Sequence, residues 1–169
     1  AHSLREQIIQ MRSDGRLREE EADRILPARI QNFLESGMAA RIHGAALAGK
    51  LYREQPFIMG FTSSEMAEIL GDEGQTRRRE DARRCDGQDD LVLVQGIIDL
   101  FFIEDGKIVL VDYKTDRVKS KQELLDRYKA QLLLYEEAIR RAMSTDRRPL
   151  ARGQTVMYSF MLEDLVEVR

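Results

Sequence analysis

The chain has 169 residues, the size of one domain, and its 43% hydrophobic and 34% charged residues make a globular composition rather than a disordered one. Lys and Arg total 27 against 30 Asp and Glu, so the net charge of −3 excludes a domain that coats nucleic acid by bulk positive charge and leaves only local or partner-assisted contact. One cysteine, Cys85, excludes an internal disulfide, a cysteine zinc site and a cysteine-ligated iron–sulfur cluster, and it fits a reducing compartment such as the cytoplasm.

In chain order, the first 50 residues read as helices. Leu4, Ile8, Ile9 and Met11 recur at helical spacing, and Gly15 is placed to end that helix. Arg18 to Leu26 carries Glu19-Glu20-Glu21 at a helix start, and Pro27 opens a helix with Ile30, Phe33 and Leu34 as its apolar stripe. Gly37 and Gly44 punctuate the stretch between that helix and residue 50. Leu51 to Phe61 reads as a strand that Pro56 confines to an edge or a bulge. Ser63 to Leu70 fits a short helix. Gly71 to Asp90 mixes seven acidic residues with five arginines and reads as a mobile, solvated loop, although Arg77-Arg78-Arg79 could touch phosphate. Leu91 to Ile103 is almost wholly apolar, as in a strand buried on both faces. Ile108 to Tyr113 is the next strand. Leu124, Leu125, Tyr128, Leu132, Tyr135, Ile139 and Ala142 outline a long amphipathic helix, followed by strands at Gln154 to Leu162 and Leu165 to Val168. This order predicts an α/β core with a mixed sheet over 51–169, preceded by a helical segment over 1–50. No apolar run is long enough for a membrane span and no export leader is visible, so no membrane partner is expected. The start at Ala1 without Met reads as a piece of something longer.

The most informative local signal is Asp105-Gly106 between two apolar runs, a strong hairpin marker. With these two residues as the loop, Glu104 pairs with Lys107. Counting back five residues on one strand and forward five on the other sets Asp99 opposite Asp112, with Cβ atoms about 4.5–5.5 Å apart. Lys114 then shares that face. Two carboxylates facing each other among apolar neighbours repel and lose solvation. A shared proton or a divalent cation relieves the conflict, and oxygen ligands without His or Cys favour Mg²⁺ or Mn²⁺. Such an ion polarises a phosphate oxygen and activates water, and Lys114 would stabilise the charged transition state or orient the water. A bulge or a longer turn would instead shift the register and send one aspartate outward. Gln131 and Tyr135 lie four apart on the helix face turned to the sheet. Taken alone, they read more simply as a helix-surface glutamine and a core tyrosine with its hydroxyl at the edge than as site residues.

Gln95-Gly96-Ile97-Ile98-Asp99, Val111-Asp112-Tyr113-Lys114-Thr115-Asp116 and Gln131-Leu132-Leu133-Leu134-Tyr135, in that order, resemble the motifs of RecB-family nucleases of the PD-(D/E)XK superfamily. Tyr52-Arg53-Glu54-Gln55-Pro56-Phe57 and the stretch around Gly15 to Ala22 extend the likeness over nearly the whole chain, toward the nuclease domains of AddA-type helicase–nuclease subunits. The resemblance implies a restriction-endonuclease-like core in which Asp99 and Asp112 ligate Mg²⁺ (with Mn²⁺ able to substitute), the carbonyl of Tyr113 joins them, and Lys114 is the catalytic lysine. Gln131 and Tyr135 would contact DNA or shape the pocket, and Glu54 matches a recurrent acidic position on the first strand, with a secondary or structural role. The implied activity is a DNA exonuclease acting in double-strand break processing, on single strands delivered by a helicase and beside an AddB-like partner subunit in the bacterial cytoplasm.

The chain departs from the family pattern in one respect. The family has a metal-binding histidine in a Gly-x-x-x-His context on an early helix. Neither His2 nor His43 matches it, and both read as surface histidines. The chain alone is therefore expected to cut weakly or not at all. No Gly-Lys-Thr/Ser phosphate loop is present, so no ATP site is expected. The alternative reading is a catalytically incomplete nuclease-like domain that binds DNA or a partner subunit.

Overall fold

In the computed structural model, which describes residues 3–71, 90–145 and 149–168, the chain runs α1 (Leu4–Ser13), α2 (Glu19–Ala22), α3 (Pro27–Leu34), α4 (Gly37–Leu47), β1 (Leu51–Thr62), α5 (Ser63–Leu70), β2 (Leu91–Glu104), β3 (Lys107–Lys114), α6 (Lys121–Met143), β4 (Ala151–Ser159) and β5 (Asp164–Glu167). It divides into two compact units, Ala1–Gly44 and Ala45–Arg169. The expectation for the 71–90 loop, and His2 with it, lies outside the described residues apart from Gly71 and Asp90. No described helix is long and apolar enough to cross a membrane.

The first unit is helical for local reasons. Ser3 and Glu6 cap α1 reciprocally, and Gly15 takes the left-handed conformation, φ +71°, that ends it. Pro27 occupies the first turn of α3, where its missing N–H costs nothing. Phe33 is buried, but Leu34 of the expected stripe is half exposed. Gly37 stands at the break between α3 and α4, as the first residue of α4. Gly44 does not punctuate the chain: it lies within α4, whose alanines at 39, 40, 45 and 46 outweigh one poor helix former.

The second unit is a five-stranded mixed sheet in the order β1-β2-β3-β4-β5, an α/β fold. All neighbours are antiparallel except β3 and β4, whose parallel pairing requires the crossover helix α6 between them. Pro56 lies on β1, an edge strand, as its missing donor demands. Thr62 and Glu65 form a capping box that starts α5 at the predicted residue. Asp105 and Gly106 form the two-residue turn, both at positive φ, and Glu104 pairs with Lys107 up to Leu100 with Val111. The predicted hairpin register therefore holds along that ladder. Gly153 supplies a bulge in β4: Arg152 pairs with Ile108 and Gln154 with Val109, and a Cβ at 153 would strike the Ile108 carbonyl.

The core lies between the sheet and α6, where Phe101, Ile103, Ile108, Leu110 and Met157 pack with Leu124, Leu132, Tyr135 and Ile139. β2 corrects one expectation. Only its stretch from Ile98 to Ile103 is largely buried, whereas Leu91, Leu93 and Ile97 are exposed, Leu93 by 69%. They alternate with Val94 and Ile98, which pack into the core, so the outer half of β2 buries a single face.

The far end of α6 is fixed by charge. The Glu137 carboxylate, only 3% exposed, accepts from Arg140 and Arg141 of α6 and from Arg152 of β4, and Arg141 also reaches Glu65 of α5 at 3.1 Å. Burial alone would raise the Glu137 pKa, but the three guanidinium partners win and pull it from 4.5 to about 2. A depressed carboxylate pKa gives stability that is present above pH 4.5 and is lost as the pH falls toward 2. Discounted for the partly exposed arginines, this is roughly 2–3 kcal/mol. Urea unfolding followed from pH 6 to pH 2.5 should show stability falling across that window, and Glu137→Gln should cost a similar amount at pH 7 and flatten the acid limb. An unchanged acid limb in the variant would remove Glu137 as its source.

Candidate active site

The site forms where β1, β2 and β3 pass beneath α6. Side-chain alternation slips by one place in both β1 and β2. Tyr52 stacks on Phe101 at 4.6 Å on the core side, yet Phe57, five residues later, also faces the core, edge-on to Tyr135 at 5.0 Å. Ile98 and Phe101, three apart, likewise share the core. The slips fall at one level: Arg53 pairs with Leu100 and Gln55 with Ile98, and between them Glu54 and Asp99 leave the ladder, Glu54 with φ +49°. A positive φ at a non-glycine residue is costly and needs surrounding structure to hold it. Here it turns both strands by half a pleat, and Asp99 stands at the break.

On the other side of β2 the paired ladder with β3 also ends one step before Asp99 and Asp112. Asp99 Oδ2 instead accepts a hydrogen bond of 2.9 Å from the backbone N–H of Tyr113. Asp112 is 4% exposed and shares the alternation of Ile108 and Leu110 toward α6. Burial pushes its carboxyl pKa up. The Lys114 ammonium opposes this, and the charges of Asp99 and Asp116 add to it. Lys114 Nζ, whose side chain is 12% exposed, lies 2.7 Å from Asp112 Oδ2. The contact is an ion pair without hydrogen-bond alignment, and Oδ2 has no hydrogen-bond partner. The Lys114 ammonium also lies 3.9 Å from the ring centroid of Tyr128 on α6. The Tyr128 hydroxyl donates to Asp116 Oδ1 at 2.8 Å, which pushes its pKa up and keeps it a donor.

Gln131 donates to the Tyr135 hydroxyl at 2.7 Å, and Tyr135 is buried at 6% exposure. The tyrosine ring lies against Gly96, where a Cβ would overlap its hydroxyl. Glu54 is exposed on the edge strand, and His43 is exposed on α4. The structure thus brings Asp99, Tyr113, Asp112 and Lys114 together and seats Gln131 and Tyr135 under β2. Sequence reasoning missed Gly96, Asp116 and Tyr128 as site residues. A glycine inside an apolar strand was the available signal for the first, and the spacing of Tyr128, seven before Tyr135 on one helix face, for the last.

The donor set fits a hard divalent cation: a buried carboxylate oxygen without a hydrogen-bond partner, next to other carboxylates whose charges oppose its ionisation. Among the described residues no three His, Cys, Asp or Glu side chains cluster tightly enough to enclose an ion. The protein would therefore supply two carboxylates, leaving the remaining places to carbonyl, water or phosphate oxygen, the habit of Mg²⁺.

A family model of the PD-(D/E)XK nuclease superfamily matches residues 1–166. The chain belongs to that superfamily. It is also similar to bacterial proteins named as subunits of an ATP-dependent helicase/nuclease: 33% identical to that of Lachnoclostridium phytofermentans over 99% of this chain, 32% to that of Clostridium botulinum over 95%, and 34% to that of Geobacillus kaustophilus over 93%. It spans 13%, 12% and 12% of those relatives, about an eighth of their length. Membership of a nuclease superfamily gives the β2–β3 carboxylates a chemical context that packing alone does not.

The fit of Tyr135 against Gly96 has a testable cost. Gly96→Ala should destabilise the fold by about 1–3 kcal/mol in urea unfolding, the usual penalty of overpacking. Adding Tyr135→Phe, which removes the overlapping oxygen, should recover part of that loss, so the double variant should be more stable than the two single costs added together. Strict additivity would show that the tyrosine hydroxyl is not what Gly96 accommodates.

Proposed function

We propose that this chain is a metal-dependent deoxyribonuclease domain that hydrolyses phosphodiester bonds in DNA. The carrying observation is the buried Asp112 carboxylate with the Lys114 ammonium 2.7 Å away, while Asp99 of the neighbouring strand is bonded to the N–H of the residue between them. In this reading Asp99 and Asp112, with the carbonyl of Tyr113, hold Mg²⁺ or Mn²⁺. When bound, such an ion polarises a phosphate oxygen and lowers the pKa of water.

The chain's own residues do the rest. The Tyr113 N–H fixes one oxygen of Asp99 and so sets the direction of the other. Burial keeps Asp112 from rotating toward solvent. Lys114 presents a positive charge in a low-dielectric setting, where a phosphate gaining negative charge is stabilised more than in water. Gln131 and Tyr135 shape the floor of the site. Glu54 holds the break in β1 that turns Asp99 toward it. The net charge of −3 fits a domain to which a helicase delivers single-stranded DNA. Similarity to helicase/nuclease subunits supports a place in an AddA-type complex that processes double-strand breaks beside an AddB-like subunit.

A second reading, a nuclease-like domain that binds DNA or a partner without cutting, is favoured by the lack of a third ligand side chain among the described residues. Two measurements separate the readings. Ca²⁺ or Mn²⁺ at about 100 times its dissociation constant should stabilise the protein by about 2.7 kcal/mol in thermal unfolding, and Asp112→Ala should abolish the shift. With excess protein, Mn²⁺ and labelled single-stranded DNA, cleavage should fall about 100-fold or more in Lys114→Ala. Binding of DNA with no Asp112-dependent cleavage would favour the second reading.

A further inference from the structure

A lysine side chain carries four rotatable bonds, so one carboxylate sets the distance of its ammonium but not its direction. Lys114 has a second wall. The ring of Tyr128 lies 3.9 Å from its Nζ, within the range in which a cation is attracted to an aromatic face. The ring is tethered in turn: its hydroxyl donates to Asp116 Oδ1 at 2.8 Å, and Asp116 lies two residues beyond Lys114 on the chain that leaves β3. Arg127, the neighbour of Tyr128 on α6, lies 3.9 Å from the same Asp116 oxygen. Asp112, Lys114, Tyr128 and Asp116 thus form a chain of contacts between the end of β3 and α6.

We propose that Tyr128 is a positioning residue for Lys114: its ring face, held by the hydroxyl contact to Asp116, confines the ammonium to the side of the sheet where Asp112 lies. This rests on the nuclease reading above. The ring makes no contact with substrate in this role. It acts by denying Lys114 the rotamers that turn away, so its loss lowers the rate of the chemical step and leaves DNA binding unchanged.

The test compares Tyr128→Phe, which keeps the ring face, with Tyr128→Leu, which removes it, using Mn²⁺ and single-stranded DNA under single-turnover conditions. Tyr128→Leu should lower the maximal cleavage rate about tenfold with an unchanged half-saturating concentration. Tyr128→Phe should restore most of that rate. A spectroscopic signature accompanies it. The ε-CH₂ protons of Lys114, assigned by their disappearance in Lys114→Arg, should resonate upfield of the other lysines in the wild type and in Tyr128→Phe. They should move to the ordinary lysine position in Tyr128→Leu. Should the leucine variant fail to fold, Tyr128→Gln replaces it with the same expected outcomes. Wild-type cleavage rates in the ring-less variant, or an unmoved Lys114 signal, overturn the proposal while the nuclease reading stands. Absence of Lys114-dependent cleavage together with absence of any Asp112-dependent stabilisation by Mn²⁺ in the wild type overturns both.

Discussion

Burying a carboxylate costs free energy unless opposite charge goes in with it, and Asp112 is almost wholly withdrawn from water. That demand organises the end of β3. Lys114, on the same side of the same strand, supplies the counter-charge from two residues away. The ammonium also meets the Tyr128 ring of α6, the crossover helix that the parallel pairing of β3 with β4 requires. At the other end of the same helix the solution is different: the buried Glu137 is met by three arginines, one of which also pairs with Glu65. One carboxylate has a single ammonium beside it, and the other has three guanidinium groups.

Much of this was legible in the sequence because the signals were local. A two-residue Asp-Gly turn fixes a register, and a register fixes which residues face each other, so the placement of Asp99 beside the Asp112–Lys114 strand followed from counting. Ser63 to Leu70 was bounded correctly because the Thr62–Glu65 capping box and Gly71 mark its ends. The misread parts depend on what lies farther off. An apolar run looks the same whether one face or both are covered, so Leu91, Leu93 and Ile97 read as interior although they are exposed. Gly44 read as a break because a glycine's cost is visible in isolation, whereas the helical preference of its alanine neighbours counts only when summed. The half-pleat slip at Glu54 and Asp99 had no marker, because nothing about a glutamate announces a positive φ.

Tyr128 shows a different limit. Its spacing placed it on the buried stripe of α6, which is correct, but the stripe is not uniform. Near the middle of the helix Tyr135 spends its hydroxyl on Gln131 and its ring on Gly96 and Phe57, while two turns earlier Tyr128 spends its own on Asp116 and Lys114. The two tyrosines have the same chemistry and the same periodicity. They differ in what the sheet presents beneath them, which is an apolar strand in one case and the charged end of β3 in the other.

The hairpin and the crossover also differ in the time at which they can form. The Asp105–Gly106 turn joins β2 and β3 through contacts a few residues apart, so closing it costs little chain entropy. The Lys114–Tyr128 contact and the β3–β4 pairing wait for the 23-residue helix between the strands to dock. During folding the two aspartates are therefore brought toward each other before the lysine's second wall is in place. Their mutual repulsion acts first on a solvated hairpin, where water and salt screen it, and is confined to a dry interior only when the helix docks. Lys114 lies on the same strand as Asp112, so the counter-charge is already beside the carboxylate when that happens.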